Sequence, residues 1–291
     1  MTSARDAYYL PQPSYWPLVG SVALFLVFLG ASMSLNEWGS GGLFMTLGAA
    51  TLVYMLFGWF GAVVRESMGG LYNSQVDISF RWGMAWFIFS EVMFFAAFFG
   101  ALFYARIYAL PWLAGEGTGI FTHDLLWPDF QGRWPPLELP DATNFQEPAA
   151  KVGAFWVPAI NTAILLSSGL TVTLAHWALK KGNNRGLCFW LFATVALGAL
   201  FMFLQALEYM HAFQDLDLSL NSGIYGTLFY MLTGFHGLHV TLGATMLLVI
   251  WFRALKNHFS PQHHFAFEAV AWYWHFVDVV WLFLFVCVYL L

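Results

Sequence analysis

The stretch RWGMAWFIFSEVMFFAAFFG, residues 81–100, decides the class of fold. Its only ionisable residues are Arg81 and Glu91, and nearly all the others are aromatic, aliphatic or small. A helix needs about 20 mostly apolar residues to cross the hydrocarbon core of a bilayer. The apolar residues do not alternate with polar ones, as they would in a strand of a membrane barrel. The stretch therefore predicts a membrane-spanning α-helix.

The whole chain shares the character of this stretch. Of its 291 residues, 60% are hydrophobic and only 9% are charged, whereas soluble domains carry about 25% charged residues. The net charge of −5 gives no basic surface for nucleic acid. Two cysteines, Cys188 and Cys287, lie in apolar runs and form neither a disulfide framework nor a paired-cysteine metal site. We predict an integral membrane protein that binds no nucleic acid.

Seven stretches meet the length requirement for a membrane helix. They cover roughly 16–35, 41–64, 82–107, 153–178, 187–210, 223–252 and 267–291. Placing the N-terminus inside puts most of the Lys and Arg residues on the inner side, as positive charges in membrane proteins prefer. We therefore predict an all-α membrane protein with seven transmembrane helices, its N-terminus inside and its C-terminus outside.

The links between these stretches predict two parts. The short link at 36–40 makes the first two helices a hairpin, residues 1–66, and the wider link at 65–81 lets that hairpin stand apart from a five-helix bundle, residues 67–291. A long outer loop at about 108–152 is rich in Pro and Trp. We interpret it as an interfacial loop anchored by its tryptophans, with a cap over a partner protein as the alternative.

Glu91 is the most unusual ionisable residue, because it lies about ten residues into an apolar stretch. Ionisable groups inside a bilayer are expensive and usually face protein or water. Two interpretations carry equal weight. Glu91 is either a protonated carboxyl bonded to a neighbouring helix, or a carboxylate in a proton relay or a lipid cleft.

Four further polar residues lie in the last two predicted spans. His236 and His239 share one helix face at i, i+3 spacing, and so do His275 and Asp278. Haem bound by two histidines needs them on opposite sides of the iron, and a zinc or copper site needs further ligands. We interpret all four as structural, hydrogen-bonded residues, and we predict no catalytic, cofactor-binding or metal site in this chain. Glu208, at the outer end of its helix, is expected to snorkel or to touch a partner.

Basic and aromatic residues also gather at the predicted inner surface. Trp59, Arg65 and Glu66 end the second helix, and Arg253 and His258 follow the sixth. Such groups suit anionic lipid headgroups, although the orientation rule already explains most of the Lys and Arg. The extra histidines of this link, His263 and His264, favour lipid contact or local titration.

The last two spans carry a specific resemblance. The segments GFHGLHV (234–240) and FRALKNHFSPQHHFAFEAVAWYWHFVDVVWLFLF (252–285) closely resemble subunit III of the aa3-type, haem–copper cytochrome c oxidases. Earlier segments agree in order, among them SEVMFF (90–95), VPAINTAILLSSG (157–169) and SGIYGTLFY (222–230). The resemblance covers nearly the whole chain.

The resemblance implies a subunit of a respiratory complex that has neither haem nor copper of its own. Subunit I would be the direct partner and carry the haems and the copper of the oxygen-reducing site, subunit II would carry the dinuclear copper, and cytochrome c would donate electrons. The chain would support proton uptake, hold structural phospholipids and prolong turnover of subunit I. The expected location is the bacterial inner membrane, with the mitochondrial inner membrane as the alternative.

The resemblance also assigns residues. A V-shaped, lipid-filled cleft would separate helices 1–2 from helices 3–7, and Glu91 would be the intramembrane carboxylate of the family. The lipid-cleft residues would be Trp59, Arg65, Glu66, Arg253, His258 and Glu268. The alternatives are subunit III of a quinol oxidase of the same superfamily, a secondary transporter, which would show internal repeats, and a haem-binding membrane protein using His236 or His239.

Overall fold

The computed structural model describes residues 9–141 and 143–291, and this part of the chain is helical with irregular links. Its helices are Trp16–Leu35 (α1), Gly41–Met68 (α2), Ser74–Tyr104 (α3), Leu110–Leu113 (α4), Ile120–Leu126 (α5), Val157–Lys180 (α6), Asn184–Gln214 (α7), Gly223–Leu255 (α8) and Phe265–Leu284 (α9). A π-helical turn joins α3 to α4, and another continues α9 to Leu290. Seven of the resulting helices are long and apolar enough to cross a membrane, which confirms the all-α, seven-span prediction.

The third span begins eight residues before its predicted start, at Ser74. Asn73 accepts a hydrogen bond from the backbone N–H of Val76 at 3.0 Å, which caps the first turn. Asp77 and Arg81 then form an i, i+4 ion pair at 2.7 Å along the helix. Most of the predicted wide link at 65–81 is therefore helical, and the link itself is only 69–73.

The chain divides into two compact units, Met1–Trp82 and Gly83–Leu291, so that α3 begins in the first and continues in the second. In the first unit, α1 and α2 pack closely against each other. Glycines make this approach possible: a Cβ on Gly48 would lie 2.6 Å from the backbone nitrogen of Val27. The predicted division at residue 66 stays a prediction.

The second unit is built around α6, α7, α8 and α9, which pack in sequence, with α9 also against α6. Two fully buried tryptophans of α9 fix it to α6 by donating their indole N–H groups. Trp274 donates to the Ser168 hydroxyl and Trp281 to the Thr162 hydroxyl, each at 2.9 Å. Because a buried polar group without a partner is costly, these bonds set the register between the two helices.

Ser168→Ala should therefore destabilise the second unit by about 1–3 kcal/mol, since it leaves the Trp274 N–H buried and without an acceptor. Ser167→Ala is the matched control, because the Ser167 hydroxyl is exposed and bonds only within its own helix. The measurement is the temperature at which the purified protein unfolds. Equal effects of the two substitutions would contradict the assigned role of Ser168.

The long loop lies over one end of the second unit. Backbone N–H groups of Gln146 and Ala149 donate to carbonyls of Asn221 and Leu216 in the α7–α8 link, at 3.2 and 2.9 Å. Trp134 packs edge-on against Tyr225 of α8. The loop is thus attached to the bundle, and its predicted role as a membrane-interface anchor stays a prediction.

Candidate functional site

Glu91 and His239 form a hydrogen-bonded pair between α3 and α8. The Oε2 atom of Glu91 lies 2.8 Å from Nε2 of His239. The other ring nitrogen of His239 lies 2.6 Å from the carbonyl oxygen of Phe235, one turn earlier on α8. Aromatic rings of Phe95 and Tyr273 surround the imidazole. The pair therefore lies in an apolar setting, with side-chain exposures of only 22% for Glu91 and 9% for His239.

These contacts fix the proton count of the pair. A carbonyl oxygen can only accept, so Nδ1 of His239 carries a hydrogen and donates it to Phe235. The remaining bond to Glu91 needs one more proton, which is on either the carboxyl or the imidazole. In both cases the pair is neutral overall, which is the form that an apolar interior tolerates.

The other three residues interpreted as structural bind elsewhere in the bundle. His236, 1% exposed, lies with Nε2 at 3.2 Å from the carbonyl oxygen of Val277 on α9. His275 and Asp278 face each other along α9 at 3.6 Å between Nδ1 and Oδ2. A Cβ on Gly169 would collide with the Asp278 carboxylate, so that glycine makes room for the pair against α6.

Glu268, assigned by resemblance to the lipid cleft, lies beside two histidines. Its Oε1 atom is 3.1 Å from Nε2 of His264, at the start of α9, and 3.5 Å from Nε2 of His176, near the end of α6. Sequence reasoning did not single out His176, because it lies about ninety residues away in an apolar run. Residue spacing within one helix does not show which side chain of another helix will lie beside it.

Arg253 and His258 lie close to this end of the second unit. The Arg253 guanidinium stands 4.7 Å from the ring centroid of Phe259. Within the described part of the chain, Nε of Arg253 and Nδ1 of His258 are buried and have no hydrogen-bond partner. Burial lowers the pKa of His258, and the charges of Arg253 and Lys256 lower it further, so this histidine is neutral at pH 7.

The predicted lipid-contacting residues of the first unit lie at the end of α2. The Trp59 ring is exposed. Glu66 accepts a hydrogen bond from the Tyr72 hydroxyl at 2.8 Å. Burial and this bond raise the pKa of Tyr72 well above its usual range, so the hydroxyl stays a donor at physiological pH. The Arg65 side chain reaches back along the helix over Gly61.

Glu208 differs from expectation. It was expected to snorkel towards the membrane surface, but the structure leaves it only 3% exposed, beside Tyr289. The snorkelling alternative was wrong, because Tyr289, in the turn that continues α9, lies against the buried Glu208 carboxylate. Contact with a partner, the other alternative, stays a prediction. The position of Glu208 near the end of an apolar run did not indicate that its side chain would be buried.

Together these features define an integral membrane protein with seven candidate membrane-spanning helices. Glu91 pairs with His239 between two of these helices, and His275 pairs with Asp278 within one. The family model described as cytochrome c oxidase subunit III matches residues 6–291. Cytochrome c oxidase subunit 3 of Neotragus moschatus is 39% identical over 99% of this chain and 98% of its own length. The corresponding proteins of Equus asinus and Dugong dugon are 39% and 40% identical over the same shares. The chain therefore belongs to the cytochrome c oxidase subunit III family.

Family membership makes the chain part of an oxidoreductase complex together with other oxidase subunits. It confirms the resemblance seen in the sequence. It also leaves the transporter and haem-protein alternatives without support. The finer assignments, including the electron donor and the lipid-cleft residues, stay proposals.

Proposed function

We propose that this chain is the non-redox subunit III of a proton-pumping cytochrome c oxidase. Its direct partner is subunit I, which holds the haems and copper, with subunit II in the same complex and cytochrome c as the donor. The relatives named above are cytochrome c oxidase subunits, which favours cytochrome c over quinol. The chain has no redox role of its own and acts by holding phospholipid, supporting proton uptake and prolonging turnover of subunit I.

The observation that carries the lipid part of this proposal is a pair of buried nitrogens, Nε of Arg253 and Nδ1 of His258. Among the described residues, neither nitrogen has a protein partner. The Nε–H of Arg253 is a donor beside a half-buried positive charge, and a neutral His258 whose hydrogen is on Nδ1 adds a second donor, which together suit a phosphate oxygen. The neighbouring Lys256 adds a second positive charge outside the apolar part of α8. An anionic or zwitterionic phospholipid headgroup satisfies all three groups.

The proton part of the proposal rests on the Glu91–His239 pair. Because the pair holds one proton between two groups, it stays neutral and polar inside α3 and α8 without carrying net charge. We propose that it holds these helices in register at the face towards subunit I, so its effect on proton uptake is indirect. The bacterial inner membrane remains the preferred location, although the relatives compared are mammalian and give it no support.

Removing Arg65 and Arg253 together should lower the phospholipid that co-purifies with the complex and shorten the working life of the enzyme. The measurement is native mass spectrometry of the complex isolated through a tag on this chain. The control is the double variant Lys181→Ala with Arg185→Ala, which removes the same charge from two exposed positions at the α6–α7 link. We expect the control to keep its lipid.

Two results would contradict the proposal. Unchanged lipid in the Arg65→Ala, Arg253→Ala variant would remove the lipid assignment alone. A tagged chain that is isolated alone, or with a haem or solute of its own, would overturn the oxidase-subunit role.

A further inference from the structure

We propose that His176, His264 and Glu268 form a binding site for a divalent transition-metal ion, with Zn²⁺ as the best match. Among the described residues, these three offer ligand atoms that all lie within 4.8 Å of one another. They come from the end of α6 and the start of α9. Two imidazoles and one carboxylate form a donor set that zinc takes in proteins, with a fourth position left for water.

The distances fit one ion. A tetrahedral zinc ion with bonds of about 2.0–2.1 Å holds its donor atoms about 3.3–3.4 Å apart. Oε1 of Glu268 lies 3.1 Å from Nε2 of His264 and 3.5 Å from Nε2 of His176. In the described part of the chain, both imidazole nitrogens are buried and make no hydrogen bond of acceptable geometry. Donor atoms that crowd together without pointing at one another are typical of atoms that share a metal ion.

The hydrogen bond of the other His264 ring nitrogen supports the same assignment. Its Nδ1 lies 3.1 Å from the carbonyl oxygen of Ser260, which can only accept, so Nδ1 carries the hydrogen. Without a second hydrogen, Nε2 of His264 turns a lone pair towards Oε1 of Glu268, 3.1 Å away. These two acceptors repel unless a cation or a proton lies between them. A backbone carbonyl that orients the far nitrogen is also the usual outer support of a metal-bound histidine.

The surroundings shield the ligands from water. Side-chain exposures are 22% for His176, 11% for Glu268 and 9% for His264. The Phe267 ring packs 5.3 Å from the His176 ring, between centroids. Lys180, one turn beyond His176 on α6, opposes a cation, so the affinity must come from the three ligands. A bound ion would tie α6 to α9 at this end of the second unit.

Zinc binding is tested on the purified oxidase complex, stripped with EDTA and then titrated with Zn²⁺ against a chromophoric chelator. The parent complex should take up one zinc ion at this site. The Glu268→Gln and His264→Gln variants should bind it at least about tenfold more weakly, because losing even an outer partner of a metal site lowers metal affinity about 10–100-fold. His263→Gln is the matched control, because this neighbouring histidine is exposed and lies outside the cluster. It should bind zinc like the parent.

A second measurement needs no substitution and covers variants that fail to assemble. Zinc should protect His176 and His264 of the parent complex from modification by diethylpyrocarbonate, while His263 still reacts. Equal zinc affinity in the parent and in Glu268→Gln, or no protection of either clustered histidine, would overturn the proposal. A single proton shared between His264 and Glu268 would then account for the geometry. The outcome is independent of the lipid proposal, because the lipid measurement concerns Arg65 and Arg253.

Discussion

Glu91→Leu should destabilise the complex by about 1–3 kcal/mol, because it leaves the Nε2 atom of His239 buried without a partner. Nδ1 of His239 already donates to the Phe235 carbonyl, so the ring cannot turn to satisfy the other nitrogen without losing that bond. The phenylalanines around the imidazole offer no replacement acceptor or donor. The measurement is the temperature at which this chain leaves the purified oxidase, followed by native gel electrophoresis.

Glu91→Gln is the matched control and should behave nearly like the parent. A glutamine amide donates an N–H to the same Nε2 atom without needing the shared proton. Electron transfer should also stay largely intact in this variant, since the pair holds no redox centre. Loss of haem or of oxygen reduction in Glu91→Gln would show that Glu91 has a direct role in the chemistry.

The double variant Glu91→Leu with His239→Phe separates a pairing effect from a packing effect. Replacing both partners of a buried hydrogen bond with apolar groups of similar shape is often nearly neutral. The double variant should therefore be more stable than Glu91→Leu alone. Simple addition of the two single losses would show that the two side chains contribute independently.

The membrane-spanning helices could be predicted from the sequence because length and apolar composition decide them locally. Six of the seven begin within four residues of their predicted starts. The third did not, since the Asp77–Arg81 pair satisfies its charges along the helix and needs no water-facing link. A prediction that places charged residues outside a helix fails where such residues pair at i, i+4.

The meeting of side chains from different helices could not be predicted in the same way. Spacing showed that His236 and His239 share a face of α8, but not which helix that face meets. Glu91 is 148 residues from its partner His239, and His176 is about ninety from Glu268. These pairs depend on the order in which helices pack, and periodicity within one helix carries no information about that order. Only the resemblance to a known family supplied any of it.

The close contact of α1 with α2 leads to the second large expected effect on stability. Replacing glycine with alanine should have opposite effects at two positions of this hairpin, Gly30 and Gly42. Gly30→Ala should destabilise the hairpin, because a Cβ there meets the backbone of Met45 and comes within 2.7 Å of the Gly41 carbonyl oxygen. Overpacking usually costs about 1–3 kcal/mol of stability. Because backbone atoms cannot move aside as a side chain can, the loss of stability in Gly30→Ala should lie at or above this range. Small residues allow this approach where helices pack in a membrane.

Gly42→Ala, one residue into α2, is the control with the opposite expected result. A Cβ at Gly42 meets nothing within 4 Å, and alanine favours a helix over glycine by up to about 1 kcal/mol. Limited proteolysis at the 36–40 link, followed with temperature, should show Gly30→Ala cleaved earlier than the parent and Gly42→Ala later. If both variants shifted in the same direction, helix propensity alone would explain them, and the close backbone approach at Gly30 would have no energetic role.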